Sequence, residues 1–327
     1  MAVVGGVAGG AVYALLAYVL FRMHWLPEGV VSWSYILGVP LVVGAVCVGL
    51  SGRALQANIL YCCFAPWLPI ILVYIVLAAI EVETLICLIM LAPAAFSCAT
   101  IGGTLAGWVA RRRHRAGIDR AVMSCVALAP LIFVAIEARQ EAPEVVHTVS
   151  NSVVVAAPPG RVWNELLNVP AIRSEELRWS FSHAIGLPRP RAAVLTGAGV
   201  GSVRDLYWDG QIHFREYVTA WDEAWRLAYR VDVSPARETL RRLDTHVVIG
   251  DRFFDVQQGE YSLRDLGAGR TELRLSTTYR MRTNVNPYGE WWANRTLADF
   301  HTVVLELIRG RAENARANVG VAERPVE

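Results

Sequence analysis

Five histidines are the residues in the second half of this chain most able to do acid–base or metal chemistry. They are His147, His183, His213, His246 and His301, and none stands in the H-E-x-x-H spacing of a zinc site. No G-x-S-x-G sequence marks a serine nucleophile. His301 could line a cavity as an acid or base, although a satisfied core or surface histidine is the commoner case. The spacing therefore predicts no catalytic residue and no metal site.

Two residue types used in covalent catalysis, lysine and cysteine, are missing from the chain or from its second half. The lysine plus arginine count of 31 consists of arginine alone, which excludes a lysine Schiff base, a Ser–Lys dyad and a P-loop lysine. The six cysteines all lie before residue 126, so the second half has no thiolate nucleophile and no disulfide. Residues 197–201 resemble a dinucleotide loop, but a strand pattern follows them, so we interpret them as a turn. No cofactor is predicted.

Aromatic and hydroxyl side chains on otherwise apolar strands are better suited to bind a ligand than to react with it. Their polar tips could orient a mostly apolar guest, whereas the alternative for each residue is ordinary core packing. The predicted ligand-binding residues are Tyr217, Trp221, Tyr229, Tyr261, Thr277, Tyr279, Met281, Trp292 and Phe300. Trp291 and Trp292 have a further alternative, which is a place at a membrane interface.

The elements that must position these side chains are short strands followed by one long helix. The pattern predicts strands over 148–156, 202–208, 211–221, 225–233, 252–266 and 271–282, and helices over 160–167, near 171–177, and over 288–316. Asp209-Gly210 is a hairpin signal between two of the strands. Alternation in the last strand gives the sheet one apolar face, which the amphipathic final helix must cover.

This order of elements resembles the helix-grip fold, and the local sequence resembles the polyketide cyclase/dehydrase and lipid-transport group of the START-like (SRPBCC) superfamily. The resemblance lies in Val153–Trp163, Gly199–Arg204, Glu216–Trp221 and Arg226–Tyr229, and it covers about residues 147–316. It implies an α+β helix-grip domain with an antiparallel sheet and a hydrophobic cavity beneath the C-terminal helix. It implies no particular reaction, because a shared fold does not fix chemistry.

The first half of the chain consists of long apolar runs. Stretches of about 20 apolar residues can cross a bilayer, and the candidates are 3–21, 30–50, 58–80, 85–110 and 121–136. The last is short enough to be an interfacial helix instead. We therefore predict an all-α transmembrane region over residues 1–140, a START-like domain over 147–316 and a flexible tail over 317–327.

Arginine placement predicts the orientation of these spans. With the N-terminus in the cytoplasm, the inside loops hold Arg53, Arg111, Arg112, Arg113, Arg115 and Arg120, whereas the outside loops hold Arg22. Five spans then place the second half outside the cytoplasm, attached to the cytoplasmic (inner) membrane. The alternative for the arginine cluster is binding of anionic lipid headgroups or nucleic acid.

Three functions are compatible with these features. We expect a membrane-anchored binding or transport module for a lipid or other hydrophobic small molecule. Shielding matters for such a ligand, because about sixteen exposed CH₂ groups at ~0.8 kcal/mol each cost on the order of 12 kcal/mol. One alternative is a cyclase/aromatase-like enzyme using His301, Tyr229, Tyr279 and Asp255. The other is an interaction or regulatory module for another membrane protein. The net charge of +2 gives no basis for a nucleic-acid partner.

Overall fold

Two compact units make up the chain. They are Met1–Pro143 with Thr283–Val285, and Glu144–Arg282 with Asn286–Glu327. The computed structural model describes residues 2–22, 32–113, 120–236, 239–240 and 249–322. Arg115, His246, residues 30–31 of the second predicted span and residues 323–327 of the predicted tail lie outside the described residues.

Apart from turns and short connections, the described residues of the N-terminal unit are helical. Its helices are α1 (Ala2–Arg22), α2 (Val39–Gly49), α3 (Arg53–Ala57), α4 (Ile59–Phe64), α5 (Trp67–Ala79), α6 (Leu85–Arg113) and α7 (Arg120–Glu137). In the described part of the chain, three stretches are long and apolar enough to cross a membrane: Val3–Phe21, Ile59–Ala79 and Leu85–Arg112. The shorter apolar helices Ser34–Gly49 and Ala127–Glu137 overlap the other two predicted spans.

Glycines let α2 and α6 pack with their backbones in contact. A Cβ atom at Gly44 would overlap the carbonyl oxygen of Ala99, and one at Gly102 would overlap the carbonyl oxygen of Leu41. Close approach at small residues is a common basis of helix association in membranes, where no hydrophobic effect drives apolar helices together. The glycines in these two helices therefore have a packing role.

In its described residues, the C-terminal unit has a seven-stranded antiparallel sheet, short helices and one long C-terminal helix. Its elements are β1 (Glu144–Val155), α8 (Pro159–Leu167), α9 (Phe181–Ala184), β2 (Pro190–Thr196), β3 (Val203–Trp208), β4 (Ile212–Asp222), β5 (Arg226–Asp232), β6 (Phe254–Gly267), β7 (Arg270–Arg282) and α10 (Asn286–Ala322). The strand order is β1-β7-β6-β5-β4-β3-β2. The antiparallel sheet and long C-terminal helix confirm the predicted fold class.

One predicted helix is replaced by other structure. The segment near residues 171–177 holds only a 3-10 turn, Ser174–Glu176. The Ile172 backbone N–H donates to the Arg191 carbonyl oxygen at 2.8 Å, so this segment pairs with β2. A backbone group that bonds to a strand cannot serve an α-helix, which explains the difference.

The largest apolar core lies between the sheet and the helices α8 and α10. Trp163 and Leu166 of α8 and Leu305 of α10 pack against Leu227 and Leu273 of the sheet. Every second residue of β7 from Thr271 to Met281 is buried, as the alternation predicts. Burying a large apolar side chain contributes about 1.5–3 kcal/mol, so this cluster is a main source of stability for the unit.

Candidate functional site

The inner face of the sheet, which α10 covers, carries most of the predicted ligand-binding residues. α10 contacts β1, β7 and α8. The sheet turns Trp221, Tyr229, Tyr261, Thr277, Tyr279 and Met281 to this face, and α10 adds Trp292 and Phe300. The residues lie at different levels along the strands, so they line a face and do not form one cluster.

Tyr217 lies on the outer face of the sheet. β4 has a bulge between Val218 and Ala220, where its pairing with β5 shifts. A regular strand would place residues 217 and 221 on one face, but the extra residue turns Trp221 inward with Val218 and leaves Tyr217 outside. The Tyr217 ring centroid lies 5.1 Å from the Arg230 guanidinium carbon. The structure therefore does not bring Tyr217 into the predicted site.

A buried ion pair lies on the inner face of the sheet, on the neighbouring strands β3 and β4. Arg204 of β3 and Glu216 of β4 are direct cross-strand neighbours, and they are 4% and 5% exposed. Arg204 Nε and Glu216 Oε2 are 3.2 Å apart, in ion-pair contact but out of line for a hydrogen bond. Arg204 Nη1 donates to the Leu166 carbonyl oxygen at 3.3 Å. Burial raises the pKa of the Glu216 carboxyl, although the Arg204 cation opposes the shift.

Two tyrosines surround this ion pair. The Arg204 guanidinium carbon lies 5.9 Å from the Tyr229 ring centroid and 5.6 Å from that of Tyr261. The ring centroids of Tyr229 and Tyr261 lie 6.0 Å apart. Burial raises the pKa of both phenols, so each stays protonated at neutral pH and can donate a hydrogen bond. The Tyr229 ring occupies the space that a Cβ atom at Gly259 would fill.

A histidine joins α10 to two strands. His301 is fully buried, and its Nε2 lies 2.7 Å from Thr277 Oγ1. Its Nδ1 lies 3.0 Å from Asn151 Oδ1. A neutral ring that donates from Nδ1 and accepts at Nε2 satisfies both contacts. Burial lowers the pKa of His301 to about 4, which keeps the ring neutral at pH 7. This geometry is that of a satisfied core histidine.

Tyr279 and Met281 lie beneath the first turns of α10. The Tyr279 hydroxyl donates to Asn294 Oδ1 at 2.8 Å, and Met281 lies under Gly289. Burial raises the pKa of Tyr279 to about 12. This end of the inner face is therefore closed by polar contacts as well as by apolar packing.

Two indole N–H groups lack hydrogen-bond partners within the described protein. Trp292 is 4% exposed and stacks on Phe181 with centroids 6.3 Å apart. Trp208 of β3 stacks on Phe300 of α10 at 4.9 Å. A buried donor left unpaired costs about 1–3 kcal/mol, so each is a group that a ligand acceptor or a water would stabilise.

A groove of about 260 Å³ lies elsewhere, on the outer side of β6 and β7. Its lining includes Ser262, Arg264, Glu272 and Arg274, and Arg264 Nη2 is 2.7 Å from Glu272 Oε2. A charged, solvent-facing lining suits a hydrophobic guest poorly. The inner face remains the better candidate site.

Sequence reasoning missed several polar residues of this face. They are Asn151, Arg204, Trp208, Glu216 and Asn294. A signal existed for the charged pair, because a hairpin centred on Gly210 sets residue 204 opposite residue 216. Their parity with Leu206 and Val218 would then have indicated burial. No local signal marks Asn151 or Asn294, since their partners are distant in the chain.

Comparisons with known proteins gave solved structures only. No family model and no curated protein matches the chain. It is similar to the Zhui aromatase/cyclase from Streptomyces sp. R1128, with 20% identity, 54% of this chain and 99% of that chain covered, and a TM-score of 0.35. A START superfamily protein from Mycobacterium smegmatis has 15% identity and a TM-score of 0.34, with 52% of this chain and 99% of that chain covered. Truncated norcoclaurine synthase from Thalictrum flavum has 13% identity and a TM-score of 0.33, with 57% of this chain and 99% of that chain covered.

The arrangement of sheet and helix decides the fold of the C-terminal unit. Seven antiparallel strands in one sheet present one buried face to a single long C-terminal helix, with short helices after the first strand. The C-terminal unit has a helix-grip fold. The predicted fold class, an α+β helix-grip (START-like) domain with an antiparallel sheet and a long C-terminal helix, is therefore confirmed.

Removing one member of the buried ion pair will destabilise the START-like domain. Arg204→Leu leaves the Glu216 carboxylate buried without its cation, and we expect a loss of about 3–5 kcal/mol in the free energy of unfolding. The double variant Arg204→Leu/Glu216→Leu should recover much of that loss. Urea unfolding of the detergent-solubilised protein, followed by tryptophan fluorescence, measures both.

The matched control is an exposed cross-strand pair. Arg226 Nη2 and Glu260 Oε2 are 2.9 Å apart, with side chains 49% and 38% exposed. Arg226→Leu should cost less than about 1 kcal/mol, because water screens the pair. Equal losses at Arg204 and Arg226 would contradict the role given to burial.

Acid will weaken the START-like domain through His301. Its folded pKa of about 4 lies below the unfolded value of 6.5, so its neutral form supports folding above pH 6.5 and this support is lost as pH falls. Between those two values the loss is on the order of 3 kcal/mol. His301→Gln cannot titrate, so its unfolding free energy should fall less from pH 7 to pH 4 than that of the wild type. Parallel pH profiles of the two proteins would exclude this linkage.

Proposed function

We propose that the START-like domain binds a lipid or other hydrophobic small molecule between the inner face of its sheet and α10, and that the N-terminal helices hold it at a membrane. The predicted ligand-binding residues on this face, from Trp221 on β4 to Phe300 on α10, are proposed as its lining. Their apolar bodies would bury the guest, while the phenol and indole tips would orient it.

The observation that carries the proposal is a band of polar groups inside an otherwise apolar interior. Arg204 and Glu216 are almost fully buried, and the pair is flanked by Tyr229 and Tyr261. Burying such a pair often stabilises a protein less than apolar residues of the same size would. Buried ionisable groups with perturbed pKa values are instead enriched at functional sites. A guest with one polar end and a long apolar body matches this arrangement.

Acid–base catalysis has less support from the same geometry. Both ring nitrogens of His301 are engaged by Thr277 and Asn151. Asp255 pairs with Arg280 on the outer face, at 3.9 Å. Tyr229 and Tyr279 have raised pKa values, which makes them poor bases at neutral pH. Binding without turnover therefore remains the preferred function.

The loss of one buried indole should weaken binding, whereas the loss of its exposed neighbour should not. Trp292 is 4% exposed and Trp291 is 53% exposed, so Trp292→Ala and Trp291→Ala are matched changes on one helix. With cis-parinaric acid as the fluorescent probe and full-length protein in nanodiscs, Trp292→Ala should raise Kd about tenfold. Trp291→Ala should change it less than about twofold.

Two outcomes would overturn the binding proposal. The first is no saturable binding of the probe by folded wild-type protein, combined with no bound molecule in solvent extracts analysed by mass spectrometry. The second is equal affinity for wild type and Trp292→Ala when both unfold at the same temperature. Circular dichroism on each variant supplies the control for folding.

The proposed orientation places the N-terminus in the cytoplasm and the START-like domain on the opposite side. It is supported by the arginines of the α6 end, where Arg112 lies over the Trp108 ring at 3.9 Å from its centroid, in the manner of an interfacial anchor. A C-terminal alkaline phosphatase fusion should be active and a fluorescent-protein fusion dark. The reverse pattern would place the domain in the cytoplasm and leave the binding proposal untouched.

A further inference from the structure

β1 is an edge strand whose second side has no partner among the described residues. It pairs with β7 in one continuous register, from Glu144 opposite Arg282 to Val155 opposite Thr271. No backbone hydrogen bond in the described part of the chain joins β1 to any other strand. In an antiparallel strand, alternate residues direct their backbone N–H and C=O groups to opposite sides, so about half of the twelve residues of β1 present unpaired groups at this edge.

The opposite edge of the sheet is protected, and β1 is not. β2 begins with Pro190 and has a shift of register before Ala192. Val169 also covers it, since the backbone N–H of Val169 donates to the Ala193 carbonyl oxygen at 2.7 Å. By contrast, residues 145–155 contain no proline, no bulge and no acidic or basic residue except His147. Proteins usually blunt exposed edges with such features, so their absence from one edge indicates that this edge is occupied.

The outward side chains of β1 are arranged almost symmetrically about Ser150, with hydroxyl residues on each side of it and a valine at each end. Along the exposed face they are Val146, Thr148, Ser150, Ser152 and Val154. Two copies paired antiparallel about Ser150 would set Val146 of one copy opposite Val154 of the other, and Thr148 opposite Ser152. Both valines are exposed in the single chain, at 56% and 49%. Such self-complementarity is what a two-fold interface requires, and it favours a second copy over an unrelated strand.

We propose that β1 pairs with β1 of a second copy of this chain, antiparallel and centred on Ser150, so that two sheets join into one continuous sheet. The partner supplies backbone groups for the open edge and covers the two valines. The inference is independent of the proposed ligand, because it concerns the edge of the sheet and not its inner face.

A disulfide at the symmetry centre tests the register. Directly opposed residues of antiparallel strands have Cα atoms about 4.5–5.5 Å apart, within the range that a disulfide spans. Ser150→Cys in the full-length protein in nanodiscs should therefore give a covalent dimer on mild oxidation, seen in non-reducing electrophoresis. The matched control is Thr196→Cys, an exposed position on the protected edge strand β2. It should give no more dimer than wild type, whose cysteines all lie before residue 126.

Like charges at the paired valines test the interface without touching the core. The variant Val146→Lys/Val154→Lys should raise the dimer dissociation constant at least about tenfold in mass photometry. Val200→Lys, at a turn residue that is 69% exposed, makes the same chemical change away from the edge and should leave it unchanged. A monomeric wild type, a crosslink no stronger at Ser150 than at Thr196, or an unrelated protein bound at β1 would each overturn the proposal.

Discussion

The START-like domain depends on one constraint, which is that its single sheet has only one face to bury. α10 is the main element that covers this face, so the inward side chains of seven strands must find both apolar contacts and polar partners beneath one helix and the short α8. Trp163, Leu166 and Leu305 fill one end with apolar packing, while Tyr279 and Asn294 close the other with a hydrogen bond. The buried pair Arg204–Glu216 lies beside the apolar cluster, because Arg204 donates to the Leu166 carbonyl oxygen.

This arrangement makes the interior uneven in a way that matters for function. At His301, Thr277 and Asn151 the polar groups satisfy one another, so that layer joins the helix to the sheet. Around Arg204 the polar groups satisfy one another less well, because the Arg204 cation and the Glu216 carboxylate are buried in ion-pair contact with limited hydrogen bonding to each other. The first arrangement is typical of structural residues, and the second supports the proposed ligand-binding role of this face. In the N-terminal unit the packing at Gly44 and Gly102 is of the kind found between helices in a lipid environment.

Much of the fold can be predicted from the sequence, because the two-residue alternation of a strand is a local pattern. The alternation from Leu273 to Met281 predicts the buried face of β7, and Asp209-Gly210 predicts the hairpin that sets Arg204 against Glu216. The sequence has no feature that predicts the bulge in β4. One extra residue changes the face on which the following side chains lie, but it does not change the composition of the strand. For that reason the sequence predicts both Tyr217 and Trp221 as ligand-binding residues, although only Trp221 lies on the inner face. Contacts between β1 and α10 depend on how distant segments pack, which no short pattern encodes.

The pairing of Tyr229 with Gly259 has a consequence for the entropy of recognition. The phenol ring lies in space that any side chain at position 259 would occupy, and Tyr229 is only 6% exposed, so packing restricts the rotation of the ring. A group already fixed in this way loses little rotational freedom when another molecule contacts it, whereas a long surface side chain loses about 0.5–1.5 kcal/mol on being immobilised. The hydroxyl of Tyr229 is thus preorganised because Gly259 on the neighbouring strand has no Cβ atom, which leaves room for the ring.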